Sequence, residues 1–119
     1  MIEIYDKKGF DRLVCIDTST LVDADFSQHN LANGNFIQMD LRDVNFTEAN
    51  LTDADLRLCN LSNANFTGAN LSGADFTGAN LAGAIFDQAQ LHNTKMADGH
   101  NSGLTAHIAI TEIKRHQGT

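Results

Sequence analysis

A large apolar residue recurs at every fifth position through most of this chain. The central residue of each five-residue unit is Leu or Phe in every unit but the last. Two positions before most centres lies a small residue, and the residue between them is usually Asn or Asp. Sixteen such units follow one another without a change of phase, with centres at Leu21, Phe26, Leu31, Phe36, Leu41, Phe46, Leu51, Leu56, Leu61, Phe66, Leu71, Phe76, Leu81, Phe86, Leu91 and Met96.

Neither a straight helix nor a straight strand can place these centres on one side. A helix advances about 100° per residue, so a five-residue spacing scatters the centres around its whole surface. A strand alternates its faces, and five is odd, so successive centres would point to opposite faces. The small and the large residue of one unit are two positions apart, however, and can point the same way along a short extended piece. The pattern therefore predicts a coil that bends after each piece, with Leu, Phe and Ala inside and Asn and Asp outside.

The bends have their own sequence signature at the second residue after each centre. Gly or Asn occupies this position in seven units, and a type II turn requires a positive φ there. The residues are Gly68, Gly73, Gly78, Gly83, Asn33, Asn63 and Asn93. In the first half of the chain the same position holds Asp23, Asp43, Glu48 and Asp53. We expect turns of another type at these four acids.

A period of twenty residues sorts the centres into four columns. Three columns then contain only Leu or only Phe, and the irregular centres Leu56 and Met96 fall in the fourth. This distribution favours four units per coil, although a ten-residue period accounts for much of the same order.

The units resemble those of the pentapeptide-repeat family, whose repeat reads approximately Ala-(Asp/Asn)-Leu-x-x. The resemblance covers residues 17–97. It implies an all-β fold, a right-handed quadrilateral β-helix of about four coils.

The segments outside the repeats are predicted to cap the open ends of the coil. In residues 1–16, Ile2 and Ile4 alternate as in a strand, whereas Phe10, Leu13 and Val14 have the spacing of a short helix.

In residues 98–119, a loop leads to an alternation that favours a strand, with a helix as the other interpretation. The alternating residues are Leu104, Ala106, Ile108 and Ile110. We predict that this segment is a cap or a dimerisation element. Family members often dimerise through their C-terminal ends, so the resemblance implies a homodimer through residues 97–113.

Charge is concentrated in the repeats. The chain has a formal net charge of −7, and residues 17–97 hold ten acids against Arg42, Arg57 and Lys95. This sign disfavours direct binding of nucleic acid. The candidate acidic interaction face consists of Asp23, Asp25, Asp40, Asp43, Asp53 and Asp55. Ile37 and Leu58, which we expect to be exposed, form a candidate apolar docking patch.

No motif of catalysis, cofactor binding or metal binding appears. The chain has no nucleophile elbow, phosphate-binding loop or dinucleotide fingerprint, and Cys15 and Cys59 share no metal-ligand spacing. We therefore expect no enzyme activity, no cofactor and no metal. The N-terminus is charged, and no apolar run approaches the ~18 residues of a membrane span, so we expect a cytoplasmic protein without membrane contact.

Two functions fit these features. The first is a small interaction or scaffold protein whose outer faces bind another protein. The second comes from the resemblance: some pentapeptide-repeat proteins imitate duplex DNA and bind DNA gyrase, which gives quinolone resistance. This chain is about half as long as those proteins and lacks an evident loop insertion. A DNA mimic predicts a basic or DNA-binding protein as the partner.

Overall fold

A β-hairpin precedes the repeats in the computed structural model, which describes residues 1–97. Strands β1 (Ile2–Tyr5) and β2 (Arg12–Ile16) pair antiparallel, with Ile4 opposite Val14. Both of these side chains are buried against the core. The expected strand is confirmed, but the expected helix through Leu13 and Val14 is wrong, because β1 gives this segment a backbone partner in an extended conformation.

The repeats return to the same side after twenty residues. Parallel bridges join the residue before each centre from Phe26 to Phe76 to the residue twenty positions later, as between Asp25 and Asn45. The bridges form four sets along the chain: 25–45–65–85, 30–50–70–90, 35–55–75–95 and 40–60–80. This spacing agrees with the expected twenty-residue period. We call each group of twenty residues a level of the solenoid.

Backbone hydrogen bonds between levels hold the stack together. The amide of Phe46 donates to the carbonyl oxygen of Asn65 (2.8 Å), and the amide of Asn45 donates in the other direction to Ala24 (2.9 Å). A third bond of this kind leaves the second residue after the centre, as from Glu48 to Thr67 (2.8 Å). Each repeat of an inner level is therefore bonded to the levels on both sides.

All corners of the solenoid have the same backbone geometry. The second residue after every centre from Leu21 to Leu91 has a positive φ, including 67° at Asp23, 60° at Asp43, 58° at Glu48 and 59° at Asp53. The amide of the next residue donates back to the centre, as from Ala24 to Leu21 (3.0 Å). The expectation of another turn at the acids is wrong. Stacked levels stay in register only if all their corners have the same backbone conformation. The residue type at a corner therefore changes the conformational free energy of the turn but not its geometry.

The interior is filled by the centres and the small residues. All sixteen centres are buried. Where Cys59 and Thr94 replace the small residue, the side chain donates a 2.8 Å hydrogen bond to a carbonyl oxygen of the preceding level, at Phe36 and Leu71 respectively. Burial raises the pKa of the Cys59 thiol to about 11. These replacements are tolerated because their polar atoms find acceptors.

The hairpin covers part of the open edge of the first level. The amide of Asn35 donates to the carbonyl oxygen of Tyr5 (2.9 Å), and the amide of Lys7 donates to that of Asn33 (2.8 Å). The end of β1 thus takes the place of a missing level on this side.

Two predictions for the C-terminal segment lie outside the described residues. They are the strand or helix at 104–111 and almost all of the proposed dimer segment 97–113.

Candidate interaction surfaces

The six acids of the candidate face do not form one surface. Asp23 and Asp43 occupy one corner, and Asp25 and Asp40 flank it on the two adjoining sides. Asp53 lies ten residues after Asp43, which is half of the twenty-residue period, and therefore sits on the opposite corner with Asp55 beside it.

Two of these acids are neutralised by arginines. The guanidinium of Arg42 donates two 2.8 Å bonds to the carboxylate of Asp40. Arg57 binds Asp55 in the same way, at 2.9 and 2.8 Å. The sequence Asp-Leu-Arg, present at 40–42 and 55–57, could have revealed both pairs, since residues two apart share a side of an extended segment.

The ion pairs shift the ionisation of both carboxyl groups. The hydrogen bonds from Arg42 hold the pKa of Asp40 below its usual value. Burial raises the pKa of Asp55, which is only 8% exposed, but the bonds and charge of Arg57 outweigh this effect and the pKa is lowered. Neither acid is a free anion for a partner.

The remaining acids of the set, Asp23, Asp25, Asp43 and Asp53, are exposed. The amide of Asp23 donates to the carbonyl oxygen of Arg42 (3.0 Å), which places Asp23 one level from Asp43. We call the group of Asp23, Asp25 and Asp43 the Asp23 corner. Arg42 lies next to Asp43, so this corner is acidic but contains one cation.

The outward Asn and Asp residues have a structural role that the sequence pattern alone did not reveal. In each unit one backbone amide, that of the residue after the centre, points away from the neighbouring levels. It donates to the side-chain oxygen of the Asn or Asp two positions earlier, as from Thr67 to Asn65 (3.0 Å). This bond occurs in twelve consecutive units, from Asp25 to Asn80, and in the unit before them the amide of Val22 donates to the hydroxyl of Thr20 instead. Asx turns therefore complete the hydrogen bonding of the repeat.

The two apolar residues of the candidate docking patch lie on one corner. Ile37 and Leu58 line a depression of about 350 Å³ together with Gln38, Arg57 and Thr77. Leu58 is 55% exposed, whereas Ile37 is half-buried rather than exposed as expected. We call these five residues the Leu58 corner.

Leu58 is unfavourable for folding in two respects. Its φ is +63°, a conformation that branched L-residues rarely adopt. About half of this residue also remains in water, although its side chain lies over Gly78. Every other residue at this turn position from Asp23 to Asn93 is Gly, Asn, Asp, Gln or Glu. A residue that costs stability and gains little burial is a candidate for a role in binding.

A second depression, of about 390 Å³, has mixed charge. It is lined by Lys7, Asp53, Asp55, Arg57, Asp75 and Lys95, among others. Acids and bases alternate there, so it presents no uniform potential to a ligand. Within residues 1–97, no cluster of three His, Cys, Asp or Glu side chains is arranged to hold a metal ion. A helix with the length and apolarity of a membrane span is likewise missing from this part of the chain.

Solved structures of three cyanobacterial pentapeptide repeat proteins resemble parts of the chain. One, alr5209 from Nostoc Pcc 7120, is 32% identical over 60% of this chain and 64% of its own, with a TM-score of 0.49. Another, from Cyanothece 51142, is 32% identical over 65% of this chain and 52% of its own, with a TM-score of 0.43. The third, HetL from Nostoc sp. strain PCC 7120, is described as involved in regulating heterocyst differentiation. It is 25% identical over 69% of this chain and 55% of its own, with a TM-score of 0.36.

The chain covers less than two thirds of the length of each of these three proteins. No curated protein sequence matches it. The family model for pentapeptide repeats matches residues 19–57 and 59–97 with eight copies, which is more than half of the chain. The five-residue units, their stacking at twenty residues and this match lead to one conclusion: the chain belongs to the pentapeptide-repeat family.

Proposed function

We propose that this protein is a non-catalytic interaction module that binds another protein through the Leu58 corner. The solenoid that carries this surface is, in this proposal, a right-handed quadrilateral β-helix of about four coils. The observation that supports the function is Leu58 itself, an exposed branched residue at a positive φ. Pentapeptide-repeat proteins are generally structural or interaction modules, which agrees with this role.

The shape of the molecule also favours binding over catalysis. The described interior is occupied by Leu, Phe and Ala side chains. The outward carboxylates are mostly exposed and lack the desolvation that adjusts the pKa of catalytic acids and bases. An apolar anchor beside an arginine is, in contrast, a common composition for a protein-binding surface.

The test is capture of a partner from the native host with matched bait proteins. Leu58→Gln removes the apolar side chain and retains a residue found at the same turn position in Gln38 and Gln88. Ile85→Asn is the control, because Ile85 is 42% exposed on another side and stands where most units have Asn or Asp. We expect Leu58→Gln to lose the partner and Ile85→Asn to keep it, with the same difference in affinity for the purified partner. Equal affinities for both variants would contradict the proposal.

A second candidate, the DNA mimic, draws support from the Asp23 corner. Asp23 and Asp43 lie on adjacent levels, which gives a row of exposed charge along one edge. Its partner would be a basic protein such as DNA gyrase, and binding would weaken steeply with salt.

Gyrase affinity over a salt titration tests this candidate. The variant carries Asn at positions 23, 25 and 43, and Asp53→Asn on the opposite corner is the control. Asn keeps the Asx oxygen at 25 and suits the positive φ at the corners. Loss of affinity and a smaller salt slope in the triple variant alone would support mimicry. No binding by the wild-type protein, or no difference between the variants, would contradict it.

A further inference from the structure

The guanidinium of Arg57 has one bonded edge and one free edge. Its Nε and Nη2 donate to the two carboxylate oxygens of Asp55, at 2.9 and 2.8 Å. The other edge, formed by Nη1 and the second hydrogen of Nη2, makes no hydrogen bond to a residue in 1–97. This free edge carries two parallel N–H groups, an arrangement that binds a carboxylate with two hydrogen bonds.

Asp55 holds the guanidinium in one position. Asp55 is 8% exposed, and its Oδ1 also accepts a bond from the backbone amide of Arg57 (3.2 Å). The side chain of Arg57, in contrast, is 48% exposed. The free edge is therefore both fixed and accessible to a partner, which reduces the loss of side-chain entropy on binding.

The lining of the Leu58 corner contains a cation but no acid. Besides Arg57, the depression is lined by Ile37, Gln38, Leu58 and Thr77. The mixed-charge depression on the adjoining side also includes Arg57, but three aspartates line it as well. A carboxylate that enters the Leu58 corner thus meets N–H donors beside aliphatic side chains, with no opposing acid in the lining.

The other Asp-Leu-Arg sequence of the chain offers a comparison. Arg42 binds Asp40 through the same two donor atoms, and its side chain is 51% exposed. The residue that follows Arg42 at the corner is an exposed Asp43, whereas Leu58 follows Arg57. The negative charge of Asp43 repels a second carboxylate. Two arginines with the same hydrogen bonds therefore differ in the surface beside their free edges.

From these observations we infer that the partner of the Leu58 corner is a protein segment that has Leu, Ile or Val with Asp or Glu one or two positions away. The aliphatic side chain occupies the depression beside Leu58, and the carboxylate accepts two hydrogen bonds from the free edge of Arg57. The inference rests on the proposed function of this corner in binding. A carboxylate fits better than a phosphate group, because the protein has a formal net charge of −7 and repels a doubly charged group more strongly.

Selection from a displayed library of random peptides on the full-length wild-type protein tests this composition. We expect the selected peptides to share an aliphatic residue with Asp or Glu one or two positions away, and to bind Leu58→Gln more weakly. The peptides are then synthesised with an amidated C-terminus, so that the only carboxylates available are those of side chains. Selected peptides without this pair of residues, or no selected peptide at all, would overturn the inference.

A double-mutant cycle between peptide and protein tests the contact with Arg57. In the peptide, the acid is replaced by its amide. In the protein, Asp55→Asn together with Arg57→Gln removes the ion pair without leaving a buried carboxylate unpaired, and Asn retains an acceptor for the turn. The amide peptide should bind wild type at least about threefold more weakly than the acid peptide does, but both should bind the double variant equally.

Asp40→Asn together with Arg42→Gln is the matched control and should respond to the two peptides as wild type does. The same preference for the acid peptide in the Asp55/Arg57 double variant would overturn the inference. So would equal binding of both peptides to wild type, a result that needs no protein variant and is independent of how the variants fold.

The results separate this inference from the proposed function. If the selected peptides lose affinity for Leu58→Gln but contain no acid, the corner binds proteins and the inference about the carboxylate fails. If they bind Leu58→Gln as tightly as wild type, the proposed function fails, and the inference fails with it.

Discussion

The ring of Phe66 stacks on that of Phe86 with centroids 4.9 Å apart and planes inclined by 14°. Phe46 stacks on the other side of Phe66, at 5.2 Å and 7°. One column of the interior is therefore a continuous pile of aromatic rings, each contributed by a different level.

Replacement of Phe66 by Ala should lower the free energy of unfolding by about 3–5 kcal/mol, because both ring faces lose their contacts and a cavity remains. Chemical denaturation measures this loss. Asp87→Ala, at an exposed position, should change stability by less than about 0.5 kcal/mol. A loss of that small size for Phe66→Ala would mean that this column is not the interior.

Replacement of Asn70 by Ala should cost about 1–2 kcal/mol, because the amide of Ser72 loses its acceptor. Asn70→Asp is the matched control and should cost less at neutral pH, since the carboxylate oxygen can accept the same bond. Thermal and denaturant unfolding compare the two. Equal losses would show that the Asx bond does not stabilise the repeat.

Substitution of Gly73 and of Gly9 by Ala distinguishes the effect of backbone strain on stability from that of steric overlap. Both have positive φ values, 74° and 79°. A Cβ at Gly73 would overlap a carboxylate oxygen of Asp53, which would have to turn aside, whereas at Gly9 it would meet nothing within 4 Å. Gly9→Ala should cost about 1–2 kcal/mol from the left-handed backbone alone, and Gly73→Ala should cost more. Equal destabilisation would mean that Asp53 moves aside freely.

The Asp55–Arg57 pair should make the protein sensitive to acid. The folded-state pKa of Asp55 is lowered. Its ionised form therefore stabilises the fold above the unfolded-state pKa of about 3.9, and this contribution disappears as the pH falls through the folded-state pKa. Asp55→Asn keeps the turn acceptor but does not titrate, so its melting temperature should fall less steeply than that of wild type below about pH 4. Arg57→Gln should flatten the profile similarly, and identical profiles for all three proteins would refute the role of this pair.

The five-residue pattern by itself determined the interior of this protein. Each unit has a small and a large apolar residue two positions apart, followed by two residues at which the chain bends. When this unit is repeated, only one arrangement buries every Leu and Phe centre. The columns of equal centres also indicated the twenty-residue period. The same residues also predicted that the chain turns at the second residue after each centre, and they indicated the family.

Tertiary structure decided the backbone conformations and side-chain positions that depend on neighbouring levels or on a paired strand. Asp23 and Asp43 adopt the same positive φ as the glycines because a stack tolerates only one corner geometry. Leu13 and Val14 form a strand because β1 lies beside them, which local spacing cannot reveal. The ion pairs of Asp40 and Asp55 with arginines two residues away are local and could have been predicted from the sequence, whereas the six acids lie on opposite corners because the twenty-residue period separates them. Such properties follow from contacts across the fold, and a linear pattern records only which residues are available to make them.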